Sequence, residues 1–306
     1  MAPPAGIPGL YRLAGQNLWF DPPVPELDPY RLETRPVQAS QFPVNFMKMR
    51  EQLPVVQTSG CLAEQLSPVS MWQDEHGFLL DIPAAGNFWT SADGGTVRQV
   101  YRTDNARAAF LAEAFLGPPL LLALALRSTW CLHASAIAYD QQVIAFLGES
   151  GAGKSTLAAY LANQPGVRRV CDDLLPVRLA DGRLVALPHF PQLKIPTSQQ
   201  PGLGLPEALP MSAIYALAET PDISIEEIGA GSSALLLAGQ TVAARLFNRL
   251  LLSQHFTFCG QAAGGIRVRR LAYPRRYSEL PQLWRILKDN LAALPGYRQA
   301  VHNLQA

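Results

Sequence analysis

The sequence predicts an α/β protein with a smaller β-rich N-terminal domain over residues 1–103 and a larger α/β domain over residues 104–306. Three observations carry this. Between residues 69 and 102, short apolar runs such as Gly77-Phe78-Leu79-Leu80-Asp81-Ile82 are punctuated by Ala84-Ala85-Gly86-Asn87 and Asp93-Gly94-Gly95, the pattern of antiparallel hairpins. Val143-Ile144-Ala145-Phe146-Leu147 is a continuous apolar run of buried-strand length. A glycine loop follows it, and then Leu157-Ala158-Ala159-Tyr160-Leu161-Ala162, which is strongly helix-forming.

Taken in chain order, residues 1 to about 60 are rich in proline, including Pro22-Pro23, Pro25, Pro29 and Pro36, and predict loops and edge strands. The hairpins come next. Asp104 to Leu126 is rich in alanine and leucine and reads as helical, broken at Gly117-Pro118-Pro119. Residues 132–138 and 142–147 form a predicted strand pair around the polar turn Tyr139-Asp140-Gln141. Val167-Arg168-Arg169-Val170-Cys171 predicts a further strand ending in Asp172-Asp173. Residues 181–232 carry many prolines and glycines, Ser233 to Gln254 reads as one helix, and Ile266 to Leu271 as a strand.

Composition narrows the function. Over 306 residues, 48% are hydrophobic, enough for a large core, while 16% are charged and the formal net charge is +1. No global basic field attracts nucleic acid or an anionic membrane. The apolar stretch Leu120 to Leu126 is too short to span a bilayer and reads as a buried helix. Cys61, Cys131, Cys171 and Cys259 lack the spacing of a zinc site or redox dithiol and read as buried free thiols, and the N-terminus has no secretory pattern; a cytoplasmic location is the expectation.

The chemistry centres on Gly148-Glu149-Ser150-Gly151-Ala152-Gly153-Lys154-Ser155-Thr156, a P-loop between a predicted strand and a predicted helix. Glycines let successive N–H groups turn toward phosphate oxygens, and the helix N-terminus adds partial positive charge. Lys154 is expected to reach the β- and γ-phosphates of ATP and Ser155 to offer its hydroxyl to Mg²⁺. Asp172 and Asp173, at the end of the next strand, stand where a nucleotide enzyme places a metal ligand and a proton acceptor. His133 begins the strand paired with the one that enters the loop, within reach of the same sheet edge.

Leu132-His133-Ala134-Ser135, the loop with its flanks, and Cys171-Asp172-Asp173 together resemble the catalytic core of HPr kinase/phosphorylase-like proteins, including stand-alone serine kinases tied to peptide-modifying gene clusters. The likeness covers about residues 127–190. It implies a P-loop kinase core of the HPr kinase and phosphoenolpyruvate carboxykinase type, phosphorylating a serine hydroxyl of a peptide or protein from Mg²⁺-ATP, and an assembly of copies. It also implies catalytic roles for His133, Lys154 and Asp172, the last as base, and metal ligation by Ser155 and Asp173.

One signature departs. Where the bifunctional family carries Glu-x-Arg-Gly, this sequence has Gln192-Leu193-Lys194-Ile195, so a forward-only kinase is expected, with Lys194 either stabilising transferred charge or packing its stem on the surface. The lost acidic residue also suits a nucleotide-binding interaction protein or simple ATPase. Arg245 and Arg249, four apart, are expected on one helix face. The cluster Arg267, Arg269, Arg270, Arg275 and Arg276 lacks interleaved aromatics and does not read as a nucleic-acid groove.

Overall fold

A computed structural model describes residues 8–32, 49–50, 52–62, 65–104 and 108–294. The class is mixed α/β. Two compact units form, one from Met1–Trp130, Leu193–Gln199 and Val242–Gln254, the other from Cys131–Gln192, Gln200–Thr241 and His255–Ala306.

The first unit holds seven strands: β1 (Gly9–Leu13), β2 (Gln16–Asp21), β3 (Val56–Leu62), β4 (Gln65–Gln73), β5 (Gly77–Ile82), β6 (Gly86–Ser91) and β7 (Thr96–Arg102). They lie in the order β1-β2-β7-β6-β5-β4-β3. The expected hairpins form an antiparallel meander from β3 to β7, and β1 and β3 are the edge strands of the sheet. Helices α1 (Ala108–Leu116) and α2 (Pro118–Leu126) are separated at Gly117, as the proline pair requires, and Leu120 to Ala125 are buried. Phe115 of α1 packs on Phe20 and Phe88, with ring centroids 5.3 Å away in each case.

In the second unit, β8 (Trp130–Tyr139) and β9 (Gln142–Leu147) are antiparallel, joined by Asp140 and Gln141, both at positive φ as a two-residue primed turn needs. Helix α3 (Lys154–Ala162) then leads to β10 (Val167–Cys171), which returns antiparallel to β8. A hairpin, β11 (Leu174–Ala180) and β12 (Arg183–Ala186), precedes β13 (Leu209–Glu219), and β14 (Ser224–Glu227) and β15 (Arg267–Tyr273) complete the sheet. β13 runs parallel to both β9 and β15. It lies within the proline- and glycine-rich stretch from which no strand was expected; Ala213-Ile214-Tyr215 is its buried centre.

The core joins Ile137, Ile144 and Phe146 to Leu157 and Leu161 of α3, and to Leu283, Trp284, Leu287 and Leu291 of α6 (Leu280–Ala292), which recur at helical spacing. Tyr215 is buried among them and donates its hydroxyl to Asn290 Oδ1 at 2.7 Å; burial pushes its pKa up to about 12.

One helix was expected from Ser233 to Gln254, and there are two: α4 (Ala230–Gln240) and α5 (Arg249–Gly265). Thr241 leaves the helix to bridge Leu132, and Asn248 starts a new one by accepting the Leu251 N–H at 2.9 Å, an N-cap. Arg245 sits in the intervening 3₁₀ turn and Arg249 at the start of α5, so they do not share a helix face. Cys131, Cys171 and Cys259 are buried free thiols. Among the described residues, no helix is long and apolar enough to cross a membrane.

His255 of α5 is 1% exposed, with Nε2 2.8 Å from Thr241 Oγ1 and 3.4 Å from Cys259 Sγ. Burial lowers its pKa from the usual imidazole value. The unfolded chain therefore binds the extra proton first, below about pH 6.5. This contribution is full above that pH and is lost as pH falls through the folded value. The thermal midpoint should drop between about pH 7.5 and 5.5, and drop less in His255→Gln; parallel midpoint curves for the two proteins would remove His255 from the acid sensitivity.

Candidate active site

Parallel pairing puts the carboxyl ends of β9, β13 and β15 at one edge of the sheet, where ligands of open α/β sheets bind. The glycine loop leaves β9 there. Gly148 has φ 153° and a Cβ on it would lie 3.0 Å from Ala152 Cβ; Gly153, the N-cap of α3, is left-handed at φ 88°. The first-turn amides of α3 at Lys154, Ser155 and Thr156 have no carbonyl within the helix to bond, so the loop offers N–H groups and the positive end of a helix dipole to an anion. Glu149, Ser150, Gly151, Ser155 and Thr156 are exposed and Ala152 is buried. Lys154 is 6% exposed, and its Nζ donates to Gly148 O at 2.7 Å and Glu149 O at 3.0 Å. The ammonium thus lies under the loop, held by loop carbonyls.

The aspartate turn lies beside this loop. Ser155 Oγ is 3.4 Å from the Asp172 carbonyl, and also 3.4 Å from Ser135 Oγ, which is buried and donates to the same carbonyl at 2.6 Å. The Asp172 carboxylate pairs with the Arg169 guanidinium. Asp173 Oδ1 lies 3.3 Å from His133 Nε2, and both side chains are about one-third exposed, at 35% and 36%. Ala134 pairs with Leu147 across β8 and β9, which carries His133 to the start of the loop. The register between β10 and β8 shifts between Arg169 and Cys171, a bulge near the end of the strand just before the two aspartates. Burial, with the Asp172 charge next, drives the Cys171 thiol pKa well up, leaving a neutral group that donates to Ala134 O.

Gln192 braces the turn. Only 3% exposed, its Oε1 accepts the N–H groups of Asp172 at 3.0 Å, Asp173 at 3.1 Å and Leu174 at 3.4 Å, while Nε2 donates to Leu174 O at 2.9 Å. Gln200 clasps the Gln192 backbone in turn, accepting its N–H at 2.7 Å and donating to its carbonyl at 3.1 Å. The expectation matched Gln192 to a lost metal ligand; its amide is instead spent on backbone.

The second unit therefore brings together His133, Gly148 through Thr156, Asp172 and Asp173. Lys194 is exposed on Leu193–Gln199, a segment of the first unit. Sequence reading gave no role to Ser135, Arg169 or the brace at Gln192. Ser135 shares a strand face with His133, two residues away, and that period was a usable signal; Gln192 offered none, because its partners lie 18 to 20 residues away. The hydroxyl of Ser155 and the carboxylates of Asp172 and Asp173 are the hard oxygen donors Mg²⁺ takes, with phosphate and water completing its shell. Among the described residues, no group of three or more His, Cys, Asp or Glu side chains gathers as a metal site.

No family model matches the sequence, and no curated protein matches it. Among the solved structures it matches is the Hpr(Ser) kinase/phosphatase from Coxiella burnetii, which aligns with 53% of this chain and 95% of its own, at 16% identity and a TM-score of 0.31. Superposition at that level does not define a shared fold, and the α/β class rests on the sheets and helices themselves.

Gln192→Leu keeps the volume and removes the acceptor. Leaving the part-buried amides of the turn without this acceptor should cost about 1–3 kcal/mol. Denaturant unfolding measures it, and a loss below about 0.5 kcal/mol would mean that the turn does not need its brace.

Proposed function

We propose that the protein is a Mg²⁺-ATP-dependent kinase that transfers the γ-phosphoryl group to a serine hydroxyl on a peptide or protein. The observation that carries this reading is the meeting of the glycine loop, Lys154 and the Asp172-Asp173 turn at Ser155. The order of the motifs supports it, since it resembles that of HPr kinase-like proteins. The β-rich first unit is proposed to dock the acceptor, and the cytoplasm is the proposed location.

When bound, Mg²⁺-ATP supplies the phosphoryl group and neutralises part of its charge. The loop amides and Lys154 would hold the phosphates, and Ser155 with Asp173 would hold the metal. Asp172, oriented by Arg169, would accept the serine proton as the hydroxyl oxygen bonds to phosphorus and the bridging P–O bond breaks, leaving ADP. His133, paired with Asp173, would orient that carboxylate. A separate reading, in which nucleotide binds and nothing is transferred, leaves the exposed His133–Asp173 pair without a task.

The deciding experiment is transfer of label from γ-labelled ATP to serine-containing peptides. Lys154→Ala should abolish transfer with an unchanged circular dichroism spectrum, and transfer at the wild-type rate would exclude this loop as the nucleotide site.

The aspartates should separate. Asp172→Asn should slow turnover roughly 10²- to 10⁴-fold with nucleotide still bound, whereas Asp173→Asn should raise the Mg²⁺ requirement. The exchanged pattern would exchange their roles. Phosphorylated acceptor incubated with Mg²⁺ and excess inorganic phosphate should yield no pyrophosphate, because Gln192 presents no carboxylate and its amide is held by the turn.

A further inference from the structure

Two residues past β15, Arg275 reaches back over the glycine loop. Its Nη1 donates to Gly151 O at 3.1 Å, and its Nε lies 3.4 Å from Oε2 of Glu219, the last residue of β13. The side chain is 35% exposed and that of Glu219 61%. Pro274 fixes the backbone just before it, and the buried Tyr273 comes within 3.4 Å of where a Gly153 Cβ would stand, so the end of β15 is packed on the loop.

Lys154 and Arg275 approach the same loop from different elements, and both rest on its carbonyl oxygens: Gly148 and Glu149 for the lysine, Gly151 for the arginine. A neutral carbonyl holds a guanidinium less strongly than a phosphoryl oxygen does, and a guanidinium fork suits phosphate better than an ammonium. Charge then discriminates between ligands. A magnesium-bound triphosphate carries one more negative charge than a magnesium-bound diphosphate; Lys154 balances the diphosphate complex and leaves the triphosphate complex one charge over.

The geometry points to Arg275 as a second phosphate-binding cation of the loop, moving from Gly151 O to the terminal phosphate and setting a preference for triphosphate over diphosphate. Glu219 is its tether. The inference rests on the kinase reading only in taking the loop as the nucleotide site.

Calorimetric titration with Mg²⁺-ATP and Mg²⁺-ADP tests it without relying on activity. Arg275→Ala should weaken Mg²⁺-ATP about ten- to a hundredfold and Mg²⁺-ADP by less than about threefold. Arg275→Lys should keep part of the preference. Glu219→Gln, which frees the guanidinium, should leave Mg²⁺-ATP binding unchanged or tighter. Equal losses for both nucleotides, or none, would overturn the assignment. So would Glu219→Gln weakening Mg²⁺-ATP as much as Arg275→Ala, since the pair would then be a brace for the loop. Wild-type protein binding neither nucleotide would instead defeat the nucleotide site itself, and Arg275 with it.

Discussion

Parallel pairing of β13 with β9 on one side and β15 on the other is the constraint on which the candidate site depends. Because all three strands point the same way, the segments that leave them emerge at one edge: the glycine loop after Leu147, Glu219 at the end of β13, and Arg275 after Tyr273. Leu147 sits opposite Ala216, which brings Gly148 against Leu217. A slip of one residue would turn the buried set Ala213, Ile214 and Tyr215 to the opposite faces, so core packing and site geometry are specified by the same register.

The polar turn is the second layer of this arrangement. A buried side chain with several backbone partners must satisfy donors and acceptors together. An amide does so at position 192, accepting from three N–H groups and donating to Leu174 O. A carboxylate would accept equally well, but it would lose the donation and set a negative charge beside Asp172 and Asp173. Glutamine at this position has its own chemical logic and need not be read as an eroded acidic ligand.

What was legible in the sequence was local. The strand, glycine loop and helix over residues 143–162 announce themselves within twenty residues, as do the hairpins of the first unit and the break at Gly117. β13 was not legible, because prolines and glycines on both sides hid a strand whose partners, β9 and β15, lie more than fifty residues away. The split between α4 and α5 was missed because Thr241 leaves the helix for a bridge to Leu132, over a hundred residues earlier. In the site, the residues that would touch phosphate were readable from the motif. Of those that hold them, Ser135 was readable from its two-residue spacing to His133, whereas Arg169 and Gln192 became visible only once β8, β10 and the turn were placed side by side.

The division of the chain bears on how the protein is made. The first compact unit includes Leu193–Gln199 and Val242–Gln254 as well as the stretch up to Trp130, so the chain passes between the units several times. Domains usually fold in order as they leave the ribosome. Here the first unit takes in two segments that are translated after the second unit has begun, so the two units cannot be completed strictly one after the other.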